Sequence, residues 1–569
     1  MAEELLMTET AVKEQAEIPN ALPEAKNNLQ EIIVNSGDGK EAKESKDSEA
    51  SDKLKRFLRK TVLSLINIGE EREEIVNICF SKAIRKGCKK ADVEKVVDDL
   101  WQEILSYHGP FWSAEEEKGA IVPKISLVKF MKYLSKEGYG KYYLDDDYTL
   151  IKVKDNRVIE IIIPEIKDKI MKIIEGDKNI EAYKDTFLEI LYSSHSRYFA
   201  NGLIEFLPPE KREITRDKRD VAYFYFNNGY AEVTKEGVSF HDNYGDLGHL
   251  IWEKQIIRRD FKVSETGGAD SPFRQFILNI AREDEARFEA LCTAIGYLLH
   301  SYKDPSNAKA VIFCDEKISD NPNGRSGKSL VSKAISELRR SVRADGKNFT
   351  FDHSFAYQQV DLSTQILEFN DVIKGFPFEK LFSIITDSIT VEKKQQHAYS
   401  IPFEMSPKVL ISTNYTIKGS SDSYKARMAE YEFSDHYNAD HQPINEFNKR
   451  FFDEWDEGEW NSFYNFMLWC VRLYLEKGLI EAEPINLLKR KAIDATSTQF
   501  VEYFETYIAL AIRYDKSEKY NEFIREYRER LNYSKNLFKK NLDAYCNIMG
   551  MICNHQKSNG SQYFTVTKK

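Results

Sequence analysis

The stretch DNPNGRSGKSLVSKAISEL, residues 320–338, decides the fold of the central part of this 569-residue chain. It contains a Gly-x-x-Gly-Lys-Ser core, although Pro322 stands where a strict Gly-x-x-x-x-Gly-Lys-Ser/Thr phosphate loop has its first glycine. The apolar run KAVIFC (309–314) precedes the core and predicts a buried parallel strand, and the spacing of SLVSKAISELRR predicts a helix after it. A strand, a glycine loop and a helix together form the arrangement that binds phosphate through main-chain N–H groups.

The loop residues predict a nucleotide site with ATP and Mg²⁺ as its ligands. Lys328 is expected to reach the β- and γ-phosphates, and Ser329 is expected to coordinate Mg²⁺. Gly324 and Gly327 supply the backbone freedom that a close approach to phosphate requires. The predicted nucleotide-binding residues are Gly324, Arg325, Ser326, Gly327, Lys328 and Ser329.

Two further apolar strands and a later segment carry residues that suit nucleotide hydrolysis. TQILEFNDVIKGF (364–376) ends in acids, which on such a strand lie near the metal and the attacking water. SPKVLISTN (406–414) ends at Asn414, which is predicted to orient the water or to sense the γ-phosphate. SYKARMAEYEF presents Arg427 as an arginine finger for a neighbour's nucleotide. Together these strands predict a nucleotide-hydrolysing enzyme.

With these residues in place, the chain resembles the superfamily 3 helicases, the ring-forming AAA+ motors of small viruses, phages and mobile elements. The resemblance is good for residues 221–435, weaker for the C-terminal segment and absent for residues 1–108. The region before the motor is similar to the helical segment of phage and poxvirus-type primase-helicases. The resemblance implies an α/β fold, with an AAA+ P-loop ATPase core, a helical and mixed N-terminal region and a C-terminal winged-helix-like domain.

The resemblance also implies a role for each matching residue. The residues that match the family's motifs are Gly324, Gly327, Lys328 and Ser329 for Walker A, Asp371 for the Walker B acid that binds Mg²⁺, Asn414 for motif C and Arg427 for the arginine finger. Asn370 departs from the pattern, because many relatives carry a second acid at that position. Glu368 is then the candidate partner of Asp371, but on an ideal strand it faces the other side, so the group that positions the water stays open.

A channel hairpin is the first of two predicted DNA-binding regions. SITVEKKQQHAYSIPFEMSPK lies between the second and third motor strands and resembles the family's B′ element, whose hairpin points basic and aromatic side chains into the ring channel. Cationic phosphate contacts and stacking rings suit single-stranded DNA. The residues concerned are Lys393, Lys394, His397 and Tyr399. A solvated charged turn is the alternative.

The C-terminal segment is the second predicted DNA-binding region. YNEFIREYRERL, KNLFKKNLDAYCNIMGM and QKSNGSQYFTVTKK resemble the helix, the recognition helix and the β-wing of a winged helix, with Ser534 as a helix N-cap. Lys535, Lys539 and Lys540 are expected to lie toward the DNA backbone. A basic, solvated helix without a partner is the alternative.

Charge and cysteine content limit the classes of function. The formal net charge is −10, so any DNA-binding surface must be local, and the last 51 residues carry ten Lys or Arg against four Asp or Glu. The lack of an 18-residue apolar run or a signal-like N-terminus predicts a chain that neither spans a membrane nor is secreted. Seven cysteines without a Cys-x-x-Cys pair predict reduced thiols in the cytosol, that of a bacterial host if the chain is phage- or plasmid-encoded. Cys546, Cys553 and His555 lie close together, but two thiols and one imidazole do not complete a zinc site.

The pattern along the chain predicts six regions. These are a disordered polar tail (1–53), a small helical unit (54–108), a mixed α+β region of unknown role (109–220), a helical segment before the motor (221–302), the ATPase core (303–455), and a helical extension with the winged-helix-like segment (456–569). Within the fourth region, residues 221–240 predict a β-hairpin with Asn228 and Gly229 at the turn. The triple aspartate 145–147 suits either two magnesium ions on a strand or a solvated hairpin turn. The turn is favoured, since no nucleotide-binding partner motif follows it.

The prediction for function is an ATP-dependent replicative DNA helicase of a phage, plasmid or mobile element. It is expected to hydrolyse ATP at the subunit interfaces of a homo-oligomeric ring, most simply a hexamer, because a finger acting in trans needs a neighbour. Single- and double-stranded DNA are the expected partners, and a separate primase or polymerase is a further candidate. Two alternatives stay open. One is a primase-helicase with residues 109–220 as a reduced primase domain, and the other is an origin-binding initiator that uses ATP only to assemble.

Overall fold

The computed structural model describes residues 40–144, 147–317, 325–394, 398–419, 421–527 and 533–569. The chain separates into two compact units, one comprising the described residues up to 130 together with 170–198, and the other comprising 131–169 together with 199–569. Within the described ranges, no helix combines the length and the apolar character needed to cross a membrane.

The N-terminal third alternates helices with short antiparallel strands. Its elements are α1 (Lys40–Asn67), α2 (Arg72–Ala83), α3 (Lys90–Ser106), β1 (Trp112–Glu117), β2 (Ala120–Ile125), α4 (Leu127–Lys136), β3 (Tyr139–Leu144), β4 (Asp147–Lys154), β5 (Arg157–Glu160), α5 (Ile163–Gly176), α6 (Lys184–Ser193), α7 (His195–Phe199) and α8 (Asn201–Ile204). In the first unit, α1 buries Leu58, Val62 and Ile66, which are spaced four residues apart on one helix face.

The boundaries of this third differ from the prediction. Residues 1–39 of the expected polar tail lie outside the described residues, but residues 40–53 form the first turns of α1. Lys, Glu and Ala are the commonest residues in these turns, and they favour a helix. The lack of aromatic residues predicted disorder instead. The expected helical unit, 54–108, does not stand alone, because residues 109–130 and 170–198 belong to the same unit.

The region before the motor contains two small sheets followed by two helices. Its elements are β6 (Ala222–Phe226), β7 (Gly229–Val233), β8 (Val238–His241), β9 (Ile251–Trp252), β10 (Ile256–Ile257), α9 (Pro272–Ile280) and α10 (Glu285–Leu299). The strand orders are β3-β4-β5-β9 and β10-β6-β7-β8. The hairpin predicted at 221–240 is thus confirmed by β6 and β7. The rest of the predicted helical segment 221–302 is α-helical only from Pro272.

A five-stranded sheet forms the region predicted to be the ATPase core. The elements of this region are β11 (Ala310–Asp315), α11 (Lys328–Leu338), β12 (Ser341–Asp345), β13 (Ile366–Val372), α12 (Phe382–Thr386), β14 (Ile389–Val391), β15 (Tyr399–Ile401), β16 (Lys408–Thr413), α13 (Asp422–Lys425) and β17 (Met428–Phe433). The order is β12-β13-β16-β11-β17 and every pairing is parallel. The three apolar strands and the helix predicted here are thus present, and the carboxyl ends of the strands meet at one edge.

Both faces of this sheet are covered, as its continuous apolar strands require. Val311 and Phe313 pack into a core with α9, α10 and a later helix, while Ala310 and Ile312 pack into the core on the opposite face. Alternate residues of β11 therefore point into different cores. Because both faces are covered, the polar groups at the strand ends are the part of the sheet that can contact a ligand.

The chain ends in a helical extension and a small domain with its own core. The elements are α14 (Pro443–Phe447), α15 (Glu457–Lys477), α16 (Leu487–Ala495), α17 (Thr498–Tyr507), β18 (Arg513–Asp515), α18 (Lys516–Tyr527), α19 (Lys535–Ile548), β19 (Met551–Ser558) and β20 (Ser561–Lys568). The strands form an antiparallel sheet in the order β18-β20-β19. Ser534 caps α19 as predicted, its Oγ accepting from the Leu537 N–H at 3.2 Å.

Candidate nucleotide-binding site

The phosphate-loop sequence leads into the N-terminus of α11. Gly327 directly precedes this helix with φ 97°, and a Cβ there would lie 2.7 Å from Phe276 Cζ, so the position requires glycine. Arg325 is exposed and Ser326 is buried, and Ser329 is exposed in the first turn of α11. Gly324, which was predicted as part of the loop, lies outside the described residues.

Lys328 is the first residue of α11, and its ammonium group reaches the carboxyl edge of the sheet. The side chain is 9% exposed, and its Nζ donates to Ser326 Oγ at 3.1 Å and to Asn414 Oδ1 at 2.9 Å. It also forms an ion pair with the carboxylate of Asp315, which ends β11. Three acceptors from two neighbouring strands and the loop therefore hold this lysine in place.

Asp371 and Asn414 complete the cluster from two more strand ends. Asp371 has φ 55°, and the register between β13 and β16 shifts between Phe369 and Val372. This irregularity turns Asp371 out of the ideal strand path. Asn414 Nδ2 donates to Asp371 Oδ1 at 3.4 Å, and Lys347 Nζ lies 2.5 Å from Asp371 Oδ2.

Glu368 lies apart from this cluster. Its side chain is 2% exposed, and Oε2 accepts from Arg343 Nε on β12 at 2.8 Å. The other oxygen, Oε1, is buried and has no hydrogen-bond partner among the described residues. Of the two acids predicted on β13, only Asp371 contacts the residues around Lys328.

These residues fit a nucleoside triphosphate with Mg²⁺. The glycine before the α11 N-terminus allows close approach of the chain, and Lys328 supplies a positive charge beside it. The exposed hydroxyl of Ser329 and the half-exposed carboxylate of Asp371 are oxygen donors of the kind that Mg²⁺ prefers. The cluster can therefore bind phosphate and hold a metal-linked acid and an amide close to it.

Two site residues did not come out of the sequence patterns. Asp315 ends the apolar run AVIFCD. A strand that ends in an acid could have indicated it as a site residue. Arg490 of α16 is 7% exposed and donates to two main-chain carbonyl groups, that of Asp315 and, at 2.6 Å, that of Asn414. Arg490 therefore connects the helical extension to the ends of β11 and β16. No local sequence motif predicts this contact.

Arg427 does not contact this cluster in its own chain. It immediately precedes β17, and its Nη1 donates to the Ser423 carbonyl at 3.0 Å while its guanidinium lies 4.8 Å from the centre of the Phe382 ring. β17 pairs with β11 from Ala310 to Asp315, so Arg427 lies at the amino edge of the sheet. It is about 17–20 Å from the carboxyl edge at the rise of a β-strand.

The predicted channel hairpin is formed by β14 and β15, but its side chains differ from expectation. Lys393 makes an ion pair with Glu160 at 2.7 Å, with the two side chains 19% and 12% exposed. Tyr399 is 6% exposed, and burial raises the pKa of its hydroxyl, so its ring is packed rather than presented for stacking. Lys394 is exposed, and His397 lies outside the described residues.

The predicted basic residues of the C-terminal segment lie on α19. Lys535 and Lys540 are exposed, and Lys535 Nζ is 3.3 Å from Ser517 Oγ on α18. Lys539 is half-exposed, 3.7 Å from Asp543 one turn later. None of the three is buried, so each ammonium group is accessible to a phosphate.

Comparisons with known proteins give only low similarities. No protein-family model and no curated protein matches the chain. An A-form apo structure of the NrS-1 C-terminal region is similar, with 13% identity, a TM-score of 0.38 and coverage of 77% of this chain and 99% of that chain. Another apo structure of that region, residues 305–718, has 11% identity, a TM-score of 0.36 and coverage of 80% and 100%. A ligand-bound JCV helicase has 12% identity, a TM-score of 0.20 and coverage of 48% and 66%. These values do not assign the chain to a family.

Proposed function

We propose that the chain is an ATP-hydrolysing DNA helicase of the superfamily 3 type. The observation that carries this proposal is the convergence of Lys328, Asp371 and Asn414, which are 43 to 86 residues apart in sequence, at one edge of a parallel sheet. Their chemistry is that of phosphoryl transfer, which needs a fixed cation, a metal-linked acid and a group that orients water.

Each residue of the cluster has a distinct role in this proposal. Lys328 exchanges its contact with Asp315 for the β- and γ-phosphates when ATP binds. Ser329 and Asp371 hold Mg²⁺, which neutralises charge on the phosphates. Asn414 orients the attacking water, because its amide can donate and accept hydrogen bonds at once.

The strand order supports an AAA+ core for this machine. β16 lies between β11, which leads into the phosphate loop, and β13, which carries Asp371. The end of the middle strand therefore lies between the two others, and Asn414 contacts both Lys328 and Asp371. A residue that touches both sides can report the presence of the γ-phosphate to the rest of the sheet.

The position of Arg427 supports a ring. Because it lies at the amino edge, a strand length away from Lys328, it cannot serve the nucleotide of its own chain without rearrangement of the sheet. A neighbouring subunit can bring an arginine at that edge to the nucleotide of the next one, as a head-to-tail closed ring does. Hydrolysis then takes place at the subunit interfaces.

The C-terminal domain supports contact with duplex DNA. From α17 to β20 its elements run helix, strand, helix, helix and hairpin, and β20 pairs with both β18 and β19. This order supports a winged helix, with α19 as the recognition helix and β19–β20 as the wing. Exposed Lys535 and Lys540 then contact phosphates.

ATP turnover and strand separation by the full chain test the proposal. Single-stranded DNA should raise the rate of ATP hydrolysis, and a forked duplex should be separated only when ATP is present. Hydrolysis that DNA does not change, without strand separation, would contradict a helicase. If the chain then still binds duplex DNA, the origin-binding initiator is favoured. The basic helix α19 is compatible with that function too.

Mixed rings test the role of Arg427. Subunits with Arg427→Ala and subunits with Lys328→Ala should each be inactive alone, whereas mixing them should recover part of the turnover, because some interfaces then receive both intact residues. Lys425→Ala, an exposed change two residues away, should leave turnover unchanged. No recovery in rings shown to contain both subunits would contradict a finger acting in trans.

A further inference from the structure

Four residues with metal-binding side chains lie on α19 and β19 of the C-terminal domain. Asp543 and Cys546 are three residues apart on α19 and share one helix face, and Cys553 and His555 are two apart on β19 and share one strand face. The helix packs against this strand. Two local pairs of donors are thus brought together by the fold.

The distances among Asp543, Cys553 and His555 suit a single small cation. Cys553 Sγ lies 3.6 Å from His555 Nε2, and the same nitrogen lies 2.6 Å from Asp543 Oδ1. The donor atoms of Asp543, Cys553 and His555 all lie within 4.8 Å of one another. A tetrahedral zinc ion with ordinary Zn–S and Zn–N bonds separates a sulfur and a nitrogen ligand by about 3.6 Å.

Cys546 supplies the fourth donor. This residue is 1% exposed and lies one turn of α19 after Asp543, whose carboxylate contacts His555. Cys546 and Cys553 are both free thiols. A thiolate is the form that binds zinc, and metal binding would displace the thiol protons of Cys546 and Cys553.

A second group of metal-binding side chains lacks these features. His436, His441 and Glu446 are the other such group within the described part of the chain. Both carboxylate oxygens of Glu446 already accept hydrogen bonds at 2.8 Å, one from Asn279 and one from Tyr437. That group is a satisfied polar network without a thiolate.

We propose that Asp543, Cys546, Cys553 and His555 form a structural Zn²⁺ site that clamps α19 to the first strand of the C-terminal hairpin. Two thiolates select a zinc-like ion over Mg²⁺ or Ca²⁺, and four protein ligands leave no open position for catalysis. Zinc binding fixes the angle between the basic helix and the hairpin. The inference does not depend on the proposed helicase activity.

Cobalt and zinc titrations of the reduced full chain test the site. One Co²⁺ per chain should bind with a sulfur-to-cobalt charge-transfer absorption and tetrahedral d–d bands, and Zn²⁺ should displace it with a Kd of ~100 nM or tighter. A reduced protein without a charge-transfer band would overturn the proposal. Cys546 and Cys553 found joined only as a disulfide after isolation would overturn it as well.

Matched variants locate the bound metal. Cys553→Ser should weaken or abolish the charge-transfer band, because one of the two thiolates is lost. Asp543→Asn, which removes a ligand without removing a thiolate, should keep the band but weaken binding at least about tenfold. Cys88→Ser and His441→Ala should bind Co²⁺ like the unchanged chain. If Cys553→Ser binds with the same band, or if His441→Ala abolishes it, the metal is bound elsewhere and the proposal is wrong.

Discussion

Lys328, the first residue of α11, and Lys408, the first residue of β16, are buried lysines at opposite edges of one parallel sheet. Lys328 is 9% exposed at the carboxyl edge, and all its acceptors are side chains. Lys408 is 3% exposed at the start of β16, and its Nζ donates to the main-chain carbonyl groups of Tyr297 and His300 at 2.7 and 2.5 Å. Burial alone therefore does not distinguish a functional lysine from a structural one.

The kind of acceptor makes the distinction. Carbonyl groups at the end of α10 need a donor, and Lys408 Nζ satisfies two of them. Side-chain acceptors at strand ends can turn away, so Lys328 can exchange them for phosphate oxygens. Substitution of Lys328 should therefore change turnover, and substitution of Lys408 should change stability.

The largest effect is expected for Asp371 at the carboxyl edge. Asp371→Asn should lower the rate of ATP hydrolysis about a hundredfold or more, because it removes a preorganised charge at the reaction site. Glu368→Gln, three residues earlier on the same strand, should be milder since Glu368 contacts Arg343 instead of the cluster. Steady-state turnover of both variants checks this, and the reverse ranking would place Glu368 in the site.

Substitution of Arg490 tests whether the helical extension stabilises the carboxyl edge of the sheet. Arg490→Met should lower the free energy of unfolding by about 1–3 kcal/mol, because two carbonyl groups lose a charged donor. Lys489→Met, at the exposed neighbouring position that pairs with Glu505, is the matched control. Urea unfolding of both variants would show equal stability if Arg490 were unimportant.

Lys303 gives the amino edge a pH dependence. Burial lowers its pKa from 10.5 to about 7, and its Nζ donates to Ser406 Oγ at 2.7 Å. Between pH 7 and 10.5 the unfolded chain binds more protons at this lysine than the folded chain, so its contribution makes stability rise with pH. Lys303→Met should remove up to about 1 kcal/mol of that rise per pH unit, measured by urea unfolding at pH 7, 8 and 9. An unchanged pH profile would mean that Lys303 keeps its proton when buried.

The smallest effects are expected in the β14–β15 hairpin, which belongs to neither edge. Lys394→Ala should lower the salt slope of single-strand binding by roughly 0.7, as the loss of one phosphate contact does. Lys393→Ala should change that slope less, since Lys393 is ion-paired with Glu160. Binding measured at several salt concentrations checks the order. A larger effect of Lys393 would mean that the ion pair opens when DNA binds.

The sequence was most informative where strand pairing fixes the geometry. Apolar runs ending in Asp371 and Asn414 predicted strands whose ends must meet in a parallel sheet, and they do. The partner of Lys393 could not be predicted, because Glu160 is 233 residues away and no pattern links the two. Arg490 was missed for the same reason. The local pattern also gave the correct element type at 221–240, where β6 and β7 form the predicted hairpin.

The central claim is that Lys328 belongs to a nucleotide-hydrolysing site. The most direct test compares ATP turnover of the unchanged chain, Lys328→Ala and Lys333→Ala, where Lys333 is an exposed lysine on the same helix that pairs with Asp453. Loss of the charge beside the γ-phosphate should lower the turnover of Lys328→Ala by about a hundredfold or more, with the fold intact by circular dichroism. Lys333→Ala should hydrolyse ATP normally. Comparable turnover by Lys328→Ala and the unchanged chain would contradict the account.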